Sequence, residues 1–150
     1  MNTLRSVLVV LAVVGASEAL AKDVTPCAGV VSKTVAVDGR NDEWTATGIK
    51  VKAGDLVVLM ADGTVKVGSW TGDVGPNGAA DGNGKLTIKV GTGTVISVGQ
   101  KWFGVFEEDA GPLKLRVQDT NYRDNSGSFK VVIIVIPGGA IPEPEVVEAG

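Results

Sequence analysis

The sequence has 150 residues, among them 21 glycines, one cysteine and no histidine, and its 17 acidic and 14 basic side chains give a formal charge of −3. Without histidine there is no Ser-His-Asp or Cys-His catalytic group and no histidine-ligated metal site, and a single cysteine excludes an intrachain disulfide. The net negative charge argues against a nucleic-acid groove or a polybasic membrane-binding face.

The first 21 residues have the pattern of a secretory signal peptide. Arg5 supplies a positive charge, the ten residues from Val7 to Ala16 are apolar, and Ala19 and Ala21 are small residues of the kind that a signal peptidase recognises. The alternative is a membrane anchor, but this run is shorter than the about 20 residues that span a bilayer. We predict cleavage after Ala21, export to the periplasm or the extracellular space, and a mature chain of 129 residues without a membrane span.

A linker, residues 22–29, follows the signal peptide and contains the single cysteine. Cys27 lies behind Thr25 and Pro26 rather than directly at the cleavage site, which argues against lipid attachment. A free thiol and an intermolecular disulfide both stay open for Cys27.

Residues 30–136 have the organisation of one all-β domain. Apolar residues recur at every second position in short runs, and glycine, aspartate and asparagine separate the runs. The pattern predicts a jelly-roll β-sandwich of eight to nine short antiparallel strands. The predicted strands are 30–37, 48–52, 56–61, 64–68, 85–90, 94–98, 103–106, 113–118 and 128–136, with turns that include Asp62-Gly63 and residues 110–112.

The last predicted strand ends in a continuous apolar run, Val131 to Ile136. Such a run suits a central strand that is covered on both faces, or a strand with one face covered by another subunit. The sequence therefore permits a homo-oligomer.

A long connection, Ser69 to Gly84, interrupts the strand pattern. Connections of this length in a compact domain are usually functional or disordered. The alternative to a binding loop is a flexible surface loop whose tryptophan closes the end of the sandwich. The residues in it that suit contacts with a hydroxyl-rich ligand are Trp70, Asp73, Asn77, Asp81 and Asn83.

The segment Asp119 to Phe129 joins two strongly patterned strands and is rich in oxygen donors. Asp119 and Asp124 carry carboxylates, and Asn125 carries an amide oxygen. Calcium binds six to eight oxygen atoms of these kinds, although the spacing is not that of an EF-hand. The alternative is an ordinary turn, in which the Asp and Asn side chains bond to their own backbone.

Residues 137–150 are acidic, rich in proline and poor in apolar side chains. This composition predicts a flexible tail or linker.

Two motifs, GPLKLRVQD at 111–119 and DNSGSFKVVI at 124–133, resemble the C-terminal part of the PA-IL-type galactophilic bacterial lectins. Shorter similarities precede them in the same order. They are Trp44 with residues 47–55, then residues 61–63, 75–78, 86–91 and 98–99. Together the similarities span residues 30–136, nearly the whole mature chain.

The resemblance implies a galactose-binding-like fold with one calcium ion that binds two vicinal sugar hydroxyls. By position, it implies side-chain ligands at Asp119, Asp124 and Asn125 and backbone carbonyl ligands at Asn121 and Val67. Asp124 replaces an asparagine of the family, which keeps an oxygen ligand and adds charge. The family's galactose-contacting histidine has no counterpart here, so the resemblance leaves the sugar open.

We therefore predict an exported, non-enzymatic, calcium-dependent carbohydrate-binding module. The residues expected to contact sugar are Trp70, Asn77, Asp81, Asn83, Asp119 and Asp124. The alternative is a structural or assembly protein that uses calcium as a staple or holds no metal. A glycosidase is disfavoured, because it needs two carboxyl groups facing each other across about 5–9.5 Å in a cleft, whereas Asp119 and Asp124 lie on a predicted turn.

Overall fold

A computed structural model describes residues 29–69, 71–108 and 111–140. The predicted signal peptide, Cys27, Trp70 and residues 141–150 lie outside the described residues. Within the described ranges, no helix is long and apolar enough to cross a membrane.

The described residues form nine antiparallel strands in two sheets, which confirms the prediction of an all-β sandwich of eight to nine strands. The strands are β1 (Val31–Asp38), β2 (Thr45–Val51), β3 (Leu56–Lys66), β4 (Asp73–Val74), β5 (Leu86–Val90), β6 (Ile96–Ser97), β7 (Lys101–Val105), β8 (Gly111–Val117) and β9 (Ser126–Ile136). The five-stranded sheet has the order β1-β9-β3-β4, with β7 also paired to β3. The four-stranded sheet has the order β2-β8-β5-β6.

The core lies between the two sheets and is built from the alternating residues of the central strands. Phe129, Val131 and Ile133 of β9 are fully buried, as are Leu113 and Leu115 of β8. Burial of one such side chain contributes about 1.5–3 kcal/mol, so the period-two pattern specifies which side of each strand faces inward.

The structure has no turn at Asp62-Gly63, where the sequence analysis predicted one between the strands 56–61 and 64–68. Asp-Gly is a typical turn pair, but β3 continues through it and pairs with β9 from Leu56 to Lys66. Gly63 has a φ of +103°, and a Cβ there would lie 2.7 Å from the carbonyl oxygen of Ser128. The pairing with the long β9 strand therefore overrides the local turn preference, and the predicted strands 56–61 and 64–68 are one strand.

The boundaries of other elements also shift. The predicted turn at 110–112 is wrong for Gly111 and Pro112, which begin β8. The long connection contains the short strand β4, whose Asp73 and Val74 pair with Lys66 and Val65 of β3. After β9, residues 138–140 form a 3₁₀ turn in which Gly138 lies against the backbone of Gly54.

The outer surface of the five-stranded sheet is apolar over its half nearest the start of β3. We call this surface the apolar face. Phe103 is 76% exposed and Val105 51% exposed, whereas the outward residues of β9 are half-buried. The apolar face consists of Leu56, Val58, Met60, Phe103, Val105, Val132, Ile134 and Ile136.

Candidate functional site

The loop between β8 and β9 is anchored by Tyr122. Its hydroxyl donates to the carbonyl of Val117 at 2.9 Å and accepts from the backbone N–H of Asp119 at 3.2 Å. Tyr122 also begins a 3₁₀ turn that ends at Asp124, and the side chain of Asn121 caps it. The 119–125 loop is therefore folded onto the end of the sandwich.

Asn125 joins three segments of the chain at this loop. Its side chain is buried, its Nδ2 donates to the carbonyl of Gly39 at 2.9 Å, and its Oδ1 accepts from the backbone N–H of Gly68 at 3.3 Å. Gly39 follows β1 and Gly68 follows β3. The amide thus fixes the position of residue 125 relative to the ends of two neighbouring strands.

Two of the five predicted metal ligands, Asp124 and Asn125, lie beside Gly68. A Cβ on Gly68 would lie 3.5 Å from Oδ2 of Asp124, so this carboxylate lies beside the glycine. Val67 directly precedes Gly68, and its carbonyl accepts a hydrogen bond from the hydroxyl of Thr71. The structure therefore brings Asp124 and Asn125 together beside Gly68. The N–H of Gly68 points to Asn125, and in a trans peptide the carbonyl of Val67 points the opposite way, so a ligand role for Val67 stays a prediction.

The other two predicted ligands make turn contacts. Oδ1 of Asp119 accepts from the backbone N–H of Thr120 at 2.6 Å and of Asn121 at 3.4 Å. Oδ1 of Asn121 accepts from the N–H of Arg123 at 3.4 Å. These are the contacts that the turn interpretation predicts, and a ligand role for Asp119 and Asn121 stays a prediction.

The donors around Gly68 fit a hard cation in their chemistry. They are a carboxylate and an amide oxygen, which are donors that calcium prefers and soft metals do not. No group of three or more His, Cys, Asp or Glu residues suited to a metal occurs in the described part of the chain. A cation here would therefore depend on amide and backbone oxygens in addition to carboxylates.

The long connection lies at the same end of the sandwich as the 119–125 loop. Its first residues contain Thr71, which contacts Val67, and its last residue, Gly84, donates from its backbone N–H to the carbonyl of Gln118 at 2.8 Å. Both ends of the connection thus border the 119–125 loop.

The predicted sugar-contacting residues of the long connection occupy two places. Asp81 and Asn83 bond to each other, through the backbone N–H and the side-chain amide of Asn83, both at 3.0 Å. Asn77 instead accepts from the backbone N–H of Gln100 at 2.9 Å. Trp70, the fourth predicted contact, lies outside the described residues.

Several residues that shape the site were missed by the sequence analysis. Tyr122 is the single tyrosine and lies inside the oxygen-rich segment, which is a signal that could have found it. Gly39, Gly68 and Thr71 act through contacts between distant segments, and no local pattern marks them.

A surface depression of about 300 Å³ lies away from this loop, on the outer side of the five-stranded sheet between Met60, Lys101 and Lys130. Concave pockets are the usual location of small-molecule sites. A sugar bound through an open-sided metal ion does not need such a pocket, so the depression does not compete with the loop as the candidate site.

A comparison with solved structures finds a lectin domain similar to this chain. It is the EclA N-terminal domain, described as a PllA-like lectin, with 26% sequence identity and a TM-score of 0.61. The similarity covers 71% of this chain and 97% of that domain. The chain has the fold of a PllA-like lectin.

The resemblance to PA-IL-type lectins, which the sequence motifs predicted, is confirmed by this similarity. In the PllA-like fold of this chain, the 119–125 loop and the long connection share one end of the sandwich. No protein-family profile matches the chain, and a search of curated proteins finds no match.

Proposed function

We propose that the protein is a non-catalytic lectin domain that binds carbohydrate through a calcium ion held at the 119–125 loop. The observation that carries the carbohydrate part is the similarity to a PllA-like lectin over nearly the whole of that domain. The metal part is supported by the carboxylate of Asp124 and the amide oxygen of Asn125, which both lie beside Gly68.

Calcium supplies open coordination positions that accept two vicinal sugar hydroxyls in place of water. Asp119 and Asp124 would contribute the negative charge that balances the ion. Asn125 is positioned by its hydrogen bonds to Gly39 and Gly68, so its amide oxygen stays at the site. Asn77, Asp81, Asn83 and Trp70 of the long connection are the proposed further contacts to the sugar, and residues 1–21 are proposed to export the chain.

A structural role is the second candidate, and Asn125 favours it. This buried amide ties the segments after β1 and β3 together through hydrogen bonds within the chain. A cation at the same place would strengthen this junction as a staple. Binding to glycans distinguishes the two functions, because only the lectin recognises a sugar.

The metal site is tested by the melting temperature of the purified protein with calcium and with chelator. Calcium at about a hundredfold excess over its dissociation constant should raise the melting temperature by about 10 °C, and Asp124→Ala should remove this shift. Asp62→Ala is the matched control, since Asp62 is an exposed carboxylate in the middle of β3 that accepts from its neighbour Gly63. An unchanged calcium shift in Asp124→Ala would show that the ion binds elsewhere.

The sugar is tested on a glycan array with calcium and with chelator. The lectin function predicts binding to glycans with accessible vicinal hydroxyls that chelator abolishes. Binding that persists in chelator would contradict the metal-bridged mechanism but would still support a carbohydrate-binding function. A protein stabilised by calcium but without signal on any glycan would support the structural function instead.

A further inference from the structure

The outer surface of the four-stranded sheet is basic. The charged residues on its strands are Lys50 of β2, Lys89 of β5, and Lys114 and Arg116 of β8, and no acidic residue occurs on these strands. Neighbouring positions on the strands are buried, so the charged side chains lie on the outward side. We call these four residues the basic face. It is present in a chain whose total charge is −3.

The cations of the basic face form no ion pair with an acidic side chain in the described part of the chain. Lys89 lies directly opposite Lys114 in the pairing of β5 with β8, and like charges at opposed positions destabilise a sheet. The single ion pair among the described residues joins Arg40 and Asp38 at 3.7 Å, outside this sheet. A bound anion would therefore relieve a repulsion that the fold leaves in place.

Trp44 orders part of the basic face. Nζ of Lys89 and Cζ of Arg116 each lie 4.6 Å from the centre of its ring, within the range of cation–π attraction. The Arg116 guanidinium also donates to the carbonyl of Asp42 at 3.3 Å, and its buried Nε has no hydrogen-bond partner. The cations are thus partly preorganised by an aromatic ring.

The basic face continues into the candidate sugar site. Cζ of Arg116 lies 6.0 Å from the centre of the Tyr122 ring, and Tyr122 anchors the 119–125 loop. Arg116 is also only three residues before Asp119 along the chain. A ligand held at the loop and longer than one sugar could therefore extend onto the basic face.

We infer that the basic face is an anion-binding subsite for acidic polysaccharides, with Lys89, Lys114 and Arg116 as its centre. The inference rests on the proposed function for the class of ligand, a glycan, and adds that the glycan carries sulfate or carboxylate groups. Arginine and lysine bind both groups through charge-assisted hydrogen bonds.

Other polyanions fit the basic face less well. Insertion into an anionic membrane uses exposed apolar side chains beside the cations, but the strands of the four-stranded sheet have no large exposed apolar residue. Single-stranded nucleic acids stack on free aromatic faces, whereas Lys89 and Arg116 already contact the ring of Trp44. An acidic glycan needs neither feature.

The experiment measures binding of the full purified chain to dextran sulfate, to a polyuronate and to neutral dextran, in chelator and at low salt. Chelator removes the proposed calcium-dependent binding, so the two proposals can fail separately. Both acidic polymers should bind and neutral dextran should not, and added salt should weaken binding steeply. Preference for one acidic polymer identifies sulfate or carboxylate as the group recognised.

The variant Lys89→Gln/Lys114→Gln should bind the acidic polymers about thirtyfold more weakly. Without ligand its melting temperature should change little, because the removal of the repulsive pair offsets the loss of the contact between Lys89 and Trp44. Lys101→Gln/Lys130→Gln on the other sheet is the matched control with the same change of charge, and it should keep full affinity. Equal loss in both variants, no binding of either acidic polymer, or tighter binding of single-stranded DNA or anionic vesicles would overturn the inference.

Discussion

Asn125 is the residue on which the candidate site depends most directly. The sequence analysis predicted that its amide oxygen binds a metal ion within an oxygen-rich loop. The structure adds that the same amide forms hydrogen bonds with Gly39 and Gly68. These partners are 86 and 57 residues away in the sequence. No local pattern can predict such contacts, because they exist only after β1, β3 and β9 have come together.

Asn125→Ala should lower the free energy of unfolding by about 2–4 kcal/mol in chelator, since it leaves the buried carbonyl of Gly39 and the partly buried N–H of Gly68 without partners. Asn121→Ala, at an exposed position in the same loop, removes only the cap of a short 3₁₀ turn and should cost less than about 1 kcal/mol. Urea unfolding curves of the two variants measure the difference. Equal stability of both variants would show that the contacts of Asn125 with Gly39 and Gly68 contribute little.

Among the elements, the strands with a buried inward face were the most predictable. Alternation placed β1, β5, β8 and β9 to within a few residues, because only one register buries the apolar side. The error at Asp62-Gly63 arose where a turn dipeptide occurs inside a strand that pairs with β9 along its whole length. The residue types of the candidate site near 119–125 were predictable, but the contacts of Asp124 and Asn125 with Gly68 were not.

Gly63→Ala should destabilise the fold by about 1–3 kcal/mol, because Gly63 has a positive φ and a Cβ would approach the carbonyl of Ser128. Gly72→Ala is the control, since a Cβ at Gly72 would meet no atom within 4 Å, and its effect should stay within about 0.5 kcal/mol. Thermal unfolding measures both. Unchanged stability in Gly63→Ala would contradict the positive φ of Gly63 and its close approach to Ser128.

At the scale of the whole molecule, the two outer sheet surfaces differ in chemistry, because one is basic and about half of the other is apolar. Contiguous apolar patches of this kind are usually interaction sites. Lys101 lies at one end of the β7 part of the apolar face. The exposed Glu107 and Glu108 lie beyond the other end of β7, about 20 Å from Lys101 along the strand direction. A second copy turned by a twofold axis across the strands would bring the lysine of each copy near the glutamates of the other.

We expect the protein to self-associate through the apolar face, and Phe103→Ser should shift it toward the monomer. Val95→Ser is the control, because Val95 is 50% exposed but lies outside the apolar face. Sedimentation velocity over a range of concentrations measures the effect. A wild-type chain that is monomeric at every concentration would contradict this expectation, and dimerisation only after deletion of residues 141–150 would indicate that the tail covers the face.

The apolar face and the 119–125 loop lie at opposite ends of β3. The centre of the apolar face on β3 is near Val58, and Gly68 lies ten residues further along the chain, about 33 Å in an extended strand. In a dimer formed across the strands, the two candidate sugar sites would point away from each other and lie about 70 Å apart. The two sites of such a dimer would be too far apart to bind neighbouring branches of one small glycan, but they would be suited to binding glycans on two separate surfaces.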